Sequence, residues 1–107
     1  MTRGDIVTIA MQGDHGKPRP ALVVQGDAFE ALSMVALLPL TSTVLPGVLT
    51  RIDVTPDARN GLRNPSQVVV HRIASVRRDR VGAVIGRIDD ATMLAVNRAM
   101  AVFLGLA

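Results

Sequence analysis

Lys17-Pro18-Arg19-Pro20-Ala21-Leu22-Val23-Val24 enters an apolar strand through prolines. Met34-Val35-Ala36-Leu37-Leu38-Pro39-Leu40-Thr41-Ser42 ends a second apolar run on two hydroxyls. That second run is nearly continuous to Leu40, which suits a central strand better than a helix. Each strand carries a polar side chain at one end: Arg19 just before the first, Thr41 just after the second. A guanidinium that binds phosphate with two prongs and a small hydroxyl, if the fold brings them together, make a compact phosphate-handling site. Sequence spacing alone does not show that they converge.

Outward from these strands the pattern stays β-rich. Ile6 to Ala10, starting near Gly4, reads as a first strand, and Gln12 to Pro18 as a polar loop holding Asp14 and His15. Gly26 to Ala31 turns the chain with a short helical turn, and Thr41 to Gly47 is rich in turn residues. Val48 to Val54 alternates, with Val48, Thr50, Ile52 and Val54 on one face, and is expected as a strand. Pro56 to Pro65, with Asn60-Gly61 inside it, excludes a regular element. Ser66 to Val70 is another strand, continued irregularly through His71-Arg72-Ile73. Val81 to Ile88 is a strand in which Gly82 or Gly86 marks a bulge or a close backbone approach.

The period then changes. Asp89 caps a helix over Ala91 to Leu104, whose Met93, Val96, Met100 and Phe103 form one apolar stripe, and Gly105 stops it. Five or six short strands and one terminal helix predict a single domain over residues 1–107: a small twisted barrel capped by the helix.

Composition narrows the function. With Phe29 and Phe103 as the only aromatics, the core must be aliphatic, and a nucleic-acid surface built on ring stacking is disfavoured. The net charge is +3, and every cation except Lys17 is an arginine. Arg72, Arg77, Arg78 and Arg80 cluster, opposed locally only by Asp79; a solvated rim and a backbone-phosphate patch are both open readings. The absence of cysteine removes thiolate chemistry and fits a reducing compartment. No apolar signal region or membrane-length run is present, so a soluble cytoplasmic protein is expected. Arg3-Gly4-Asp5 is therefore not read as an adhesion tripeptide. His15 and His71 lack metal-ligand spacing, Asp89-Asp90 fit a helix start, and no phosphate-loop motif is present, so neither metal nor cofactor is expected.

Read in order, Arg3-Gly4-Asp5-Ile6-Val7, Arg19-Pro20-Ala21-Leu22-Val23-Val24 and Pro39-Leu40-Thr41-Ser42 resemble the MazF/PemK family of toxin endoribonucleases. Gly61-Leu62 ahead of a Ser66-containing strand, the Ile73 to Val81 segment and Ile85-Gly86-Arg87-Ile88 extend the resemblance over essentially the whole chain. It implies a small SH3-like β-barrel with helical additions, a homodimer, and metal-independent cleavage of single-stranded RNA, typically messenger RNA at short preferred sequences. It also implies a labile antitoxin that occupies the RNA groove.

Carried onto this chain, the resemblance makes Arg19 and Thr41 catalytic and gives Asp14 a supporting or base role. Ser42 adjoins the site, and the loop holding His15 and Lys17 contacts RNA. In the implied reaction the RNA's 2′-hydroxyl attacks the adjacent phosphate, leaving a 2′,3′-cyclic phosphate and a 5′-hydroxyl. Arg19 stabilises phosphorane charge and protonates the leaving oxygen; its high proton affinity favours the charge role. Thr41 positions a non-bridging oxygen. Asp14 or His15 accepts the 2′-hydroxyl proton, and the matched position favours Asp14.

One departure stands out: His71, followed by Arg72, occupies a position where several relatives carry an acid. A proton carrier, a reader of a different RNA sequence and a solvated histidine on a basic rim remain three open readings. The alternative function is a non-catalytic toxin resembling the CcdB gyrase inhibitors, which share the length and terminal helix. Those act through a Trp-containing C-terminal end, whereas this chain ends Leu104-Gly105-Leu106-Ala107. A relative that binds RNA or antitoxin without cutting is a third reading.

Overall fold

A computed structural model of the chain describes residues 1–10 and 17–107. Its strands are β1 (Asp5–Ala10), β2 (Pro18–Val23), β3 (Met34–Thr41), β4 (Arg51–Val54), β5 (Ser66–Val69), β6 (Ala74–Arg77) and β7 (Val81–Arg87). They are followed by α1 (Asp90–Phe103), with single 3-10 turns at Asp27–Phe29, Val70–Arg72 and Arg78–Arg80. The strands pair antiparallel in the order β4-β5-β3-β2-β1-β7, and β6 adds to β3 beside that path.

The mainly-β fold with a C-terminal helix stands, but the closed SH3-like barrel does not. The sheet is open, with β4 and β7 at the two ends of its path. The reason lies in the segment after β4. Its N–H groups are taken up locally: Asp57 Oδ1 accepts from Arg59 N and Asn60 N, and Asn60 Oδ1 accepts from Asp57 N and Leu62 N. Pro56 and Pro65 have no N–H to offer. This curled loop therefore lies on β7 by close approach, with Arg87 N donating to Arg59 O at 2.8 Å, instead of pairing with it along a ladder. Gly86 permits the contact, because a Cβ there would run into the backbone of Arg59 and Asn60. The close approach expected of the β7 glycines is thus present.

The core has two sides because side chains alternate across strands. Ile6, Leu22, Leu38, Leu40, Val68 and Val70 are buried on the side covered by Val96 and Ala99 of α1. Val7, Ile9, Ala21, Val23, Val35 and Leu37 are buried on the other, with Val76 of β6 and Val81 of β7 packed against them. Burial on both faces explains why β3 reads as a continuous apolar run. Each fully buried Leu or Val contributes about 1.5–3 kcal/mol, so the two layers dominate the stability.

Local departures from the sequence reading have local causes. The alternation from Val48 forms a strand only from Arg51, because Arg51 N bonds back to Val48 O and leaves Leu49 72% exposed. The Ala74–Arg77 strand escaped the pattern: it is short, largely exposed and follows a 3-10 turn. It pairs with Met34–Leu37, while β5 takes Leu40 and Thr41 farther along the same strand.

At the N-terminus, Arg3 bonds Val24 O through Nε at 2.9 Å and Asn97 Oδ1 through NH2 at 2.6 Å, joining sheet to helix. Asp5 pairs with Arg87 at 3.0 Å. The Arg3-Gly4-Asp5 tripeptide is thus occupied in structural contacts. At the other end of α1, Gly105 (φ 74°) follows the helix, with Gly105 N bonding Val102 O and Leu106 N bonding Ala101 O. That is the paired closure of a glycine-terminated helix.

Candidate active site

The site grows from a place where two paired strands part. The β2–β3 register matches Ala21 with Pro39, Leu22 with Leu38 and Val23 with Leu37. Two further steps in the same register would set Arg19 opposite Thr41. The ladder stops first. Pro20 has no N–H to donate, and β3 turns its last pair, Leu40 and Thr41, to Val68 and Gln67 of β5. Beyond Ala21, the prolines of β2 pair only with β1, where a missing donor is tolerated on the open side.

The parting leaves a cleft of about 280 Å³. Arg19 and Pro20 form one wall, Leu40, Thr41, Ser42 and Thr43 another, and Leu62, Arg63, Asn64 and Ser66 the third. A neighbouring hollow of about 470 Å³ shares Pro20, Leu62 and Arg63 and adds Lys17 and Ile85. Among the described residues, the lining of both hollows carries Lys17, Arg19 and Arg63 and no carboxylate. Thr41 Oγ1 accepts from Thr43 N at 3.1 Å, while Ser66 Oγ donates to Asn64 O at 2.8 Å. A cleft lined by guanidinium groups and hydroxyls can hold a phosphodiester by charge-assisted hydrogen bonds.

Of the residues singled out from sequence, the structure brings Arg19, Thr41 and Ser42 to one cleft and Lys17 to the hollow beside it. Asp14 and His15 lie outside the described residues. The others are elsewhere. His71 Nδ1 is 2.7 Å from Thr50 Oγ1, and its ring stands edge-on to Phe103 with centroids 6.5 Å apart. Arg72 is exposed on the same 3-10 turn. Arg77 pairs with Asp79 at 2.8 Å. Arg78 holds Ser33 O through its backbone N and Leu32 O through Nε. Arg80 is exposed at the end of that turn.

Sequence reading missed Arg63, Asn64 and Thr43. The only signal was Asn60-Gly61, which marks a turn without saying what it faces. Buried Asn60 shapes that turn by donating to Thr55 O and accepting from Asp57 N and Leu62 N. Gly61, at φ 70°, then lies against Ile85 O with no room for a side chain. Leu62 and Arg63 follow directly into the cleft.

The open antiparallel sheet thus carries a terminal helix and, where two strands part, a cleft lined by arginines and hydroxyls. Comparison with known proteins gives this architecture a family: residues 2–104 match the model of the PemK-like, MazF-like toxins of type II toxin-antitoxin systems, and the chain belongs to that family. With the family, it is a toxin endoribonuclease. It is 37% identical, over its whole length and 99% of the relative, to the probable endoribonuclease MazF of Mycolicibacterium smegmatis. Among solved structures it resembles Mycobacterium tuberculosis toxin MazF-mt6 (27% identity, TM-score 0.82, 96% of this chain and 98% of that one). It also resembles a mycobacterial endoribonuclease in complex with its cognate antitoxin (26% identity, TM-score 0.84, 100% and 97% covered).

Proposed function

We propose that this toxin cuts single-stranded RNA with the RNA's own 2′-hydroxyl as nucleophile, without metal or cofactor, using Arg19 and Thr41 as its catalytic pair. The observation that carries the reading is the shared cleft of these two residues, which lie far apart in sequence. As the O2′–P bond forms and the P–O5′ bond breaks, negative charge grows on the non-bridging oxygens. Arg19 stabilises that charge, and the Thr41 hydroxyl donates to one of those oxygens. The 2′-hydroxyl proton passes to Asp14, as the family resemblance assigns, with His15 beside it in sequence. The leaving O5′ takes a proton from water, and the proton held on Asp14 restores the balance with solvent, so the products are a 2′,3′-cyclic phosphate and a 5′-hydroxyl.

Lys17 and Ser42 contact the flanking backbone, and the arginine-rich segment from His71 and Arg72 through Arg77, Arg78 and Arg80 supplies wider attraction for the polyanion. The similar endoribonuclease solved with its cognate antitoxin supports an antitoxin partner for this chain. A homodimer in the cytoplasm completes the reading; among the described residues no helix is long and apolar enough to cross a membrane.

The test is cleavage of a long single-stranded RNA in EDTA by the wild type, Arg19→Ala and Thr41→Ala proteins, with every new 5′ end mapped. Site-specific cuts bearing 5′-hydroxyls, lost in both folded variants, are expected. An intact RNA with folded wild type, or cleavage undiminished in the variants, refutes the assignment.

A further inference from the structure

Chemistry in the cleft depends on where the Thr41 proton points. Thr41 Oγ1 already accepts from the Thr43 N–H at 3.1 Å, a side-chain turn onto the residue two ahead. Its own proton is thereby left for another acceptor. The Ser66 proton, by contrast, is committed to Asn64 O. Of these two hydroxyls, Thr41 is the one set to donate to a phosphate oxygen.

Thr43 is in turn held from outside the cleft, through its carbonyl. Arg51 NH1 donates to Thr43 O at 2.8 Å and to Gln67 Oε1 at 3.1 Å. Gln67 is only 2% exposed. Its carboxamide accepts from Leu45 N and donates to Leu45 O, both at 3.1 Å, and also donates to Asp53 Oδ1 at 2.8 Å. Two donors and two acceptor positions are all filled, which fixes one orientation of the group. The segment after Thr41 lies beyond the end of β3 and is exposed from Ser42 to Leu49. Side chains from β4 and β5 thus replace the ladder that would otherwise order it.

We propose that Gln67, together with Arg51, is a positioning residue for RNA cleavage. The pair holds Thr43 and Leu45 so that the Thr43 N–H fixes the Thr41 hydroxyl with its proton toward the phosphate. Neither residue lines the cleft. The inference rests on the catalytic reading of Thr41 given above.

The experiment measures cleavage by Gln67→Met, which keeps the volume and removes the four bonds, and by Arg51→Met and Arg51→Lys. Each is made alone and in a Thr41→Ala background, shown to be folded by thermal melting, and assayed at enzyme excess as well as in steady state. In the wild-type background kcat should fall about tenfold or more at unchanged KM for both Met variants, with Arg51→Lys recovering part of the loss. In the Thr41→Ala background the same changes should have no further effect.

Wild-type kcat in either folded Met variant overturns the proposal. So does a rise in KM alone, or an undiminished loss when Thr41 is absent. Should Gln67→Met fail to fold, the half-buried Arg51 series decides by the same criteria. If Thr41→Ala itself cleaves at the wild-type rate, the catalytic reading of Thr41 fails, and the positioning role falls with it.

Discussion

Replacing Gly86 by Ala tests the link between the open sheet and the cleft. A methyl carbon at Gly86 would sit 2.6 Å from Arg59 O and closer still to the Asn60 carbonyl, and both obstacles are backbone. Non-bonded carbons prefer separations of about 3.5–4.0 Å, so the loop and β7 must part by roughly 1 Å. Forcing an extra carbon into a packed contact costs about 1–3 kcal/mol. Parting also stretches the Arg87 N to Arg59 O bond, 2.8 Å in the native protein, a loss of about 1 kcal/mol. The stiffer unfolded chain returns about 0.4–1 kcal/mol, because Gly86 does not adopt positive φ. The net loss is about 1–3.5 kcal/mol, centred near 2 kcal/mol, which corresponds to a fall in Tm of about 10 °C at the centre.

Because Leu62, Arg63 and Asn64 ride on the displaced loop, RNA cleavage below the melting range should also drop, by about tenfold or more. Gly105→Ala is the matched control. Its φ of 74° makes it strained, but a Cβ there meets nothing within 4 Å, and it lies far from the cleft in sequence. It should lose about 1 kcal/mol and keep its cleavage rate. Calorimetry and a gel assay on the same preparations decide the matter. A Gly86→Ala protein that melts no lower than Gly105→Ala and cleaves normally refutes the argued contact.

Two further predictions concern the ends of the chain. The Asp89 carboxylate is held below its ordinary value, first by the Thr92 backbone N–H at 2.6 Å, then by the Thr92 side chain and the Arg59 charge. A lowered folded-state value means the cap's contribution is fully present above the ordinary carboxylate range and lost as pH falls through the folded-state value. The Tm gap between wild type and Asp89→Ala should therefore be flat above about pH 5 and close on acidification; a gap that widens in acid would contradict the assignment. Arg3→Met removes the bonds to Val24 O and Asn97 Oδ1 and should lower stability by about 2 kcal/mol, read as a shift in the urea midpoint at constant slope. An unchanged midpoint would show that Arg3 does not secure the N-terminal segment.

The alternation and punctuation of the chain determined its elements. The prolines and the run through Leu40 marked β2 and β3, and the Met93-Val96-Met100 stripe between Asp89 and Gly105 marked the helix. These follow from local stereochemistry and from which side chains must leave water, which is why a sequence displays them. Arg19 and Thr41 were likewise legible as candidates because they end two strands. What tertiary structure alone decided was where the strands stop cooperating. Whether the sheet closes depended on the Asp57 and Asn60 side chains taking up loop N–H groups, and on Gly86 admitting that loop, so the expected barrel stayed open. The third wall of the cleft, at Arg63 and Asn64, and the Gln67 brace on Leu45 join residues distant along the chain. Contacts of this kind leave no period in a sequence, because only packing sets their partners.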